Sequence, residues 1–485
     1  MNLKFTLLAL FALNMSQINA QSAQVPNEGE KVTFLQPISP QQQLLSRFTT
    51  TTSWQDNADV SWYNATSNQF VLTTAEQVAG LAKLVNNGNS FIGKTITINE
   101  NLDFSAHLWI PIGKNDQFPF SGIFKGNNKI ITNIQISLAS QDFVGFFGQV
   151  YQGQVENLTI QNATILGRDT VGGLVANLST NSSVNNCHTK NVTVTALGYN
   201  AGGLVGGLLT DSSINNSSAE GTITGINQIG GLVGTLWDKV TITKSFAKGT
   251  VTGQYIVGGF AGFSTMTFFP NRNNTITDSY TRADVNASME RVGGFYGGPQ
   301  YNAITSNVYS TGMVSDVDAN GGFAGFTGNM SASNIYYDYT NAPIEAVGMF
   351  EGPPATYTIQ GLPTEQMTTQ TLADNLNAGR TTAVWFYDSS KNDGYPILEN
   401  EVNLSLNNFS TANSIHIYPN VVTDFLFVKS NGTKINYQIV DYNGRMMKQG
   451  IIKDGKINLT SLQSGQYIIL INVDGKTSQH KFIRK

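Results

Sequence analysis

The stretch VGGLVA at 171–176 returns as AGGLVG at 201–206, IGGLVG at 229–234, VGGFAG at 257–262, VGGFYG at 292–297 and GGFAG at 321–325. Its glycine pairs are Gly172-Gly173, Gly202-Gly203, Gly230-Gly231, Gly258-Gly259, Gly293-Gly294 and Gly321-Gly322, separated by steps of 30, 28, 28, 35 and 28 residues. A fixed period in this range is the mark of a repeat architecture whose units stack. A lone Gly-rich run invites a phosphate-loop reading. Six copies, none followed by the Lys-Ser or ribose-binding acid that such a loop requires, point to architecture instead.

A second marker keeps the same register. Pairs at Asn133-Ile134, Asn157-Leu158, Asn186-Cys187, Asn216-Ser217, Lys244-Ser245, Asp278-Ser279, Asn307-Val308 and Asn334-Ile335 begin with Asn in six of eight cases. In stacked coils each lies about 4.8 Å from the next, close enough for an amide ladder. Lys244 and Asp278, on adjacent rungs with opposite charge, are expected to pair across the rungs in place of the amide contact. Cys187 falls in an inward column of small or apolar residues, so it reads as a buried, inert thiol. The glycines are assigned to turns that need positive φ or close backbone approach. The residues after them alternate inward and outward as a strand does.

These observations predict an all-β chain: a parallel β-helix or β-solenoid of about eight coils with short capping helices, then a small C-terminal β-sandwich. Composition agrees, since 12% of the residues are charged and 48 are Gly, which suits short strands and turns. Residues 1–20 combine Lys4, an apolar run from Phe5 to Leu13 and a polar end, and read as a secretory signal peptide cut between Ala20 and Gln21. Residues 21–50 read as a flexible leader, and 51–132 as an N-terminal cap with first strands. Within that cap Thr74 is an N-cap to a helix with Val78, Leu81, Ala82 and Val85 on one face, stopped by Asn86-Asn87-Gly88. Residues 133–345 are the solenoid, 346–398 a cap closing its second end, 399–414 a linker and 415–485 the terminal sandwich. No later stretch reaches about 18 apolar residues, so no membrane span is expected. A single cysteine makes no internal disulfide.

The net charge of −4 gives no reason to expect nucleic acid. It is uneven: residues 415–485 hold ten Lys/Arg and four Asp, net +6, leaving −10 for the rest.

Two resemblances follow. The helix TTAEQVAGLAKLVNNGN, the turn WIPIG, PFSGIFKGNNKIITNI and the VGGLVG-type repeats resemble, in order, bacterial GLUG-repeat surface proteins. That implies an exported, adhesin-like β-solenoid. The tail resembles the type A C-terminal sorting domain of the type IX secretion system of Bacteroidota. It does so through Tyr418-Pro419-Asn420, Asp424, Asp441-Tyr442-Asn443-Gly444-Arg445, the run from Leu462 through Gly465 to Tyr467, and the basic end from Lys481 to Lys485. Val421 departs from that family, which usually has proline there. This resemblance implies as partners the type IX machinery and its sorting peptidase, with delivery through the periplasm to the outer-membrane surface or outside.

Chemistry is harder to find. His107, His188, His416 and His480 have no metal-like spacing, and no cofactor or catalytic residue is expected. Arg168, Asp169, Arg282, Asp284, Glu290 and Arg291 are the charged candidates if the scaffold is a lyase or glycosidase. Asp316-Val317-Asp318-Ala319-Asn320-Gly321 fits half of a calcium loop, but Thr327 stands where the bidentate Glu belongs and Gly321 already serves the repeat. Thr193/Thr195, Thr222/Thr224 and Thr250/Thr252 form an outward Thr array ended by Asp284/Asn286 and Met313/Ser315, which ordinary strand preference explains. The remaining possibilities are a surface that binds glycan, matrix or another surface, a carbohydrate-active enzyme, and a structural spacer.

Overall fold

The computed structural model describes residues 52–264, 272–298, 303–328, 330–350, 357–399, 401, 416–418, 421–429, 435–441, 445–452, 455–473 and 476–485. The signal-peptide reading with Ala20 and Gln21, the leader, most of the linker, and Pro419, Asn420 and Gly444 lie outside the described residues.

The body is a β-solenoid of about nine turns. One inward column can be followed through parallel register: Phe70, Ile96, Phe124, Val155, Val184, Ile214, Ile242, Ile276, Thr305 and Ala332. Parallel pairing begins at strand Gln69–Leu72, within the segment 51–132 that the sequence reading gives to the cap and first strands. The glycine pair marks only the later coils, so the earlier ones were invisible to it. A second parallel sheet closes the coil opposite, running through Phe147–Tyr151, Val175–Ser179, Val205–Leu209, Val233–Trp237 and Ala261–Ser264.

The repeat glycines serve close approach. None of the twelve has positive φ. A Cβ on Gly172 would lie 2.0 Å from the Val175 carbonyl oxygen, and one on Gly173 would lie 2.1 Å from the carbonyl oxygen of Gly203 on the next coil. The first glycine thus lets its own coil fold tightly, and the second lets neighbouring coils touch. Positive φ is carried by non-glycine residues just before the pair: Thr170, Asn200, Gln228, Ile256, Arg291 and Ala319. It recurs at the marker residues Asn133, Asn157, Asn186, Asn216, Lys244, Asp278, Asn307 and Asn334. Asn tolerates this left-handed conformation better than other side chains, which explains why it dominates the second column.

Behind four successive markers, at Cys187, Ser217, Ser245 and Ser279, the interior is polar and hydrogen-bonded. The backbone N–H of Cys187 donates to Ser217 Oγ at 3.1 Å, that of Ser217 to Ser245 Oγ at 3.2 Å, and that of Ser245 to Ser279 Oγ at 3.2 Å. Each Ser hydroxyl in turn donates to the carbonyl two residues earlier, as from Ser217 to Asn215 at 2.8 Å. Satisfying every donor removes the cost of burying hydroxyls.

The first coils carry a helix and an aromatic cluster. Helix Ala75–Asn86 is capped by Thr74, whose side chain accepts from the Gln77 N–H. Trp62, Tyr63, Phe70 and Phe91 pack edge-to-face and stacked beside it.

The segment after the last coils takes a different path from the one expected. Strand Tyr357–Leu362 adds a final rung, but the residues that follow run back along the flank. Helix Gln370–Asn377, with Thr369 as N-cap, and the antiparallel pair Trp385–Phe386 and Ile397–Leu398 lie on a stacked aromatic column. That column is Phe246, Tyr280, Tyr309 and Tyr336, in register on four rungs. Ring centroids stand 4.9 and 4.8 Å apart in the first two steps, nearly parallel at 11° and 10°. Met367, Leu372, Leu376, Trp385 and Tyr395 bury it. Residues 363–399 and Glu401 are therefore a lateral strap.

The tail forms two small sheets around one core. A three-stranded sheet of His416–Tyr418, Phe425–Lys429 and Lys456–Asn458 faces a five-stranded one built on Ile435–Asp441, Gly465–Val473 and Lys476–Arg484. Leu426, Ile439, Leu459, Ile469 and Ile471 are completely buried between them.

Candidate functional site

In a solenoid the inward columns are committed to packing, so chemistry must lie on corners and outward faces. The Asn markers lie at one such corner. Asn186 Nδ2 donates to Asn157 Oδ1 at 2.8 Å, Asn216 to Asn186 at 3.0 Å, and Asn334 to Asn307 at 2.8 Å. Asn133 donates instead to Asp103 at 3.0 Å. A parallel amide contact that the sequence reading missed joins Asn191 to Asn162 at 2.7 Å.

The expected Lys244–Asp278 pair is replaced. Asp278 accepts from Arg380 at 2.7 Å and Lys244 lies 4.0 Å from Glu399, both partners belonging to the strap. The strap reaches these positions because the aromatic column lies directly beside them. The same flank holds further polar ties. Glu401 accepts from the Tyr280 hydroxyl at 2.6 Å and from Lys248 at 3.1 Å. Burial and the Glu401 carboxylate both push the Tyr280 hydroxyl well above its ordinary pKa. Asp338, almost fully buried, accepts from Tyr395 at 2.6 Å and Thr364 at 2.8 Å. The aromatic signal was present in the sequence, two residues after each of the last four marker residues.

The six charged candidates are not gathered into one cleft. Arg168 is held by Asp142 at 2.7 Å, and Asp169 accepts from the Tyr199 N–H at 2.7 Å. Arg282 donates to Asp393 at 2.8 Å and to Asn392 at 3.0 Å, with its guanidinium 4.7 Å from the Tyr395 ring centre, so it fastens the strap. Asp284 accepts from the Met313 N–H at 3.0 Å, and burial raises its pKa. Glu290 lies 3.5 Å from Arg291, whose guanidinium is 5.4 Å from the Phe326 ring centre.

Asp316 accepts from Asn320 at 3.2 Å, while Asp318–Gly321 is a strand in register with Glu290 and Gly293. The segment is thus a rung of the ladder, with Gly321 in its repeat position. Among the described residues no three His, Cys, Asp or Glu side chains gather at metal-binding distance. The Thr array begins one coil earlier than the sequence reading placed it: Thr164, Thr193, Thr222 and Thr250 are aligned, followed by Asp284.

His107 bonds Thr52 at 2.6 Å and packs edge-on against Trp54. His188 bonds Ser218 at 2.9 Å, and burial pushes its pKa down to about 4, with Lys190 assisting. His416 and His480 lie in strands of the tail. Cys187 is fully buried, its thiol 3.3 Å from the Asn185 carbonyl, and burial drives its pKa up to about 12. Such a thiol stays protonated and unreactive.

In the tail Arg445 closes a turn on Asp441, through its N–H at 2.9 Å and its guanidinium at 3.2 Å. The buried Tyr467 donates to the Gln463 carbonyl at 2.9 Å. The Asp424 carbonyl accepts from Leu459 and the Lys485 N–H donates to Val422. Val421 pairs with Ile483, and Gly465, Tyr467 and Lys481 lie in the paired strands Gly465–Val473 and Lys476–Arg484. Tyr418 pairs with Phe427.

The body is a β-solenoid, and the C-terminal strands form a sorting domain. Residues 416–485 match the secretion system C-terminal sorting domain, and residues 198–224 match the GLUG motif. Halomucin of Haloquadratum walsbyi is 32% identical over 128 residues, which is 22% of this chain; the match spans 1% of Halomucin's own length. A crystal structure from Bacteroides ovatus, described as a candidate immunoglobulin A1 protease, is 18% identical. It covers 71% of this chain and 94% of that one, with a TM-score of 0.45. The type IX sorting domain marks the protein as secreted or displayed at the outer-membrane surface, and implies interaction with the secretion machinery. No helix among the described residues is long and apolar enough to cross a membrane.

Proposed function

We propose that the protein is an adhesin-like display rod, whose outward solenoid faces bind a glycan, a matrix component or another surface after export. In this reading residues 1–20 act as a signal peptide cut after Ala20, and the sorting peptidase separates or anchors the body near the start of the tail. The observation that carries the reading is a contrast within the coils. The inward column from Val155 through Val184, Ile214 and Ile242 to Ile276 keeps Val or Ile on every rung, whereas the outward column Tyr199, Asn227, Tyr255, Glu290 and Asp318 changes residue on every rung, unlike the repeating Thr column. Packing explains the first pattern and recognition suits the second. The charged candidates for hydrolytic chemistry are engaged separately by Asp142, the Tyr199 and Met313 backbones, and the strap. The test is attachment of beads coated with the purified full-length protein to a panel of immobilised glycans and matrix proteins. Saturable attachment that free protein competes away is expected; indifference to every surface would leave a spacer.

A further inference from the structure

One outward column combines groups that packing does not need. Tyr199, Asn227, Tyr255, Glu290 and Asp318 are in parallel register on five successive rungs. Tyr199 is 52% exposed, so its ring is presented to solvent from a rigid strand. Asp318 is exposed, and Tyr255 and Glu290 are half-buried. Between the two tyrosines the Asn227 Oδ1 is buried and accepts no hydrogen bond. A buried acceptor without a donor is costly and is seldom kept without a use.

We infer that this column is a binding track for an extended, neutral hexose oligosaccharide. The inference deepens the display reading and rests on it. Two rungs place the tyrosine rings about 10 Å apart along the column, which matches every second ring of an extended β-1,4-linked hexose chain. The C–H face of a pyranose stacks on the negative face of an aromatic ring. A turn of the Asn227 side chain that brings the buried Oδ1 to the outer face lets a sugar hydroxyl over the middle rung supply the donor it lacks. Glu290 and Asp318 continue the track with carboxylates that accept from further hydroxyls. Charge selects the class: the column has two carboxylates, and residues before 415 sum to −10, so a polyanionic glycan is repelled.

Isothermal titration of the purified full-length protein with cellohexaose and with a galacturonic acid hexamer tests this. Cellohexaose is expected to bind and the uronate to give no heat. Tyr199→Ala and Tyr255→Ala should each weaken cellohexaose binding roughly tenfold, and Asn227→Ala should also weaken it. Tyr199→Phe, which keeps the ring, should retain it. Thermal melts of each variant establish that the fold is intact. Trp237→Ala, on a different strand, should change nothing. Loss of binding in Trp237→Ala but not in the tyrosine variants would overturn the assignment of this column and leave the display reading standing. Tighter binding of the uronate, or no heat with cellohexaose, would overturn the neutral-glycan inference. The bead-attachment assay decides the display reading separately.

Discussion

The solenoid body and the tail are both built of strands, yet they solve the problem of unpaired backbone in opposite ways. The body pairs every strand in parallel with the coil before and after it, so neighbouring side chains occupy identical positions and form ladders. The tail pairs its long strands antiparallel, with Val421–Val422 alone added in parallel among the described strands, and closes around a compact core of Leu426, Ile439, Leu459, Ile469 and Ile471. The two cores share no residue. The charge differs too, −10 before residue 415 and +6 after it. A repeat rod can lengthen and vary its outward faces coil by coil, because each coil answers only to its neighbours. A compact address domain has no such freedom, since its strands all meet one core.

That contrast can be broken in several places. Trp385→Ala should remove the centre of the strap's contact with Tyr280 and Tyr309. A loss of about 3–5 kcal/mol is expected, read in denaturant melts and in faster proteolysis within 363–401. An unchanged cleavage pattern would mean the strap holds without its aromatic anchor. Ile469→Ala should cost the tail about 2–5 kcal/mol while leaving the body's transition where it was. Calorimetry showing both transitions shift together would dissolve the distinction between the regions.

A third test uses pH. His188 has a folded pKa near 4, below its ordinary 6.5, so the unfolded chain takes up the proton first as pH falls. Its contribution is therefore present above about pH 6.5 and is lost between there and pH 4. His188→Gln should lessen the fall in melting temperature across that window relative to the unaltered protein. Equal falls in both would contradict the buried, neutral assignment. The smallest effect is expected from Cys187→Ser, because the column already uses Ser217, Ser245 and Ser279 bonded in the same way. A change within about 1 kcal/mol is predicted, and a larger loss would show that the ladder depends on sulfur at that rung.

The rod was legible in the sequence because its instructions are local and periodic. Gly172-Gly173 and their counterparts give the step, and the Asn markers give an independent register. The physical job of those glycines was only half legible: close approach is theirs, while the left-handed turn falls on Thr170, Ile256, Arg291 and Ala319, residues with no preference for it. Neighbouring coils impose that conformation, and a single coil's sequence does not reveal it. The strap's path was hidden for a similar reason. Helix Gln370–Asn377 announces itself through Thr369 and its apolar face, but the surface receiving it is assembled from Phe246, Tyr280, Tyr309 and Tyr336, about 30 residues apart. The replaced Lys244–Asp278 pair follows from that path, since Arg380 and Glu399 arrive only with the strap. The Tyr199 column was hidden too, because its members share no residue type and only register brings them together.

The most direct test of the division between displayed rod and export address is removal of residues 416–485 in the native host, followed by fractionation and detection of the body. The account predicts that the shortened protein is lost from the outer surface and the medium and accumulates in the periplasm. Delivery to the surface at the level of the full-length protein would contradict it.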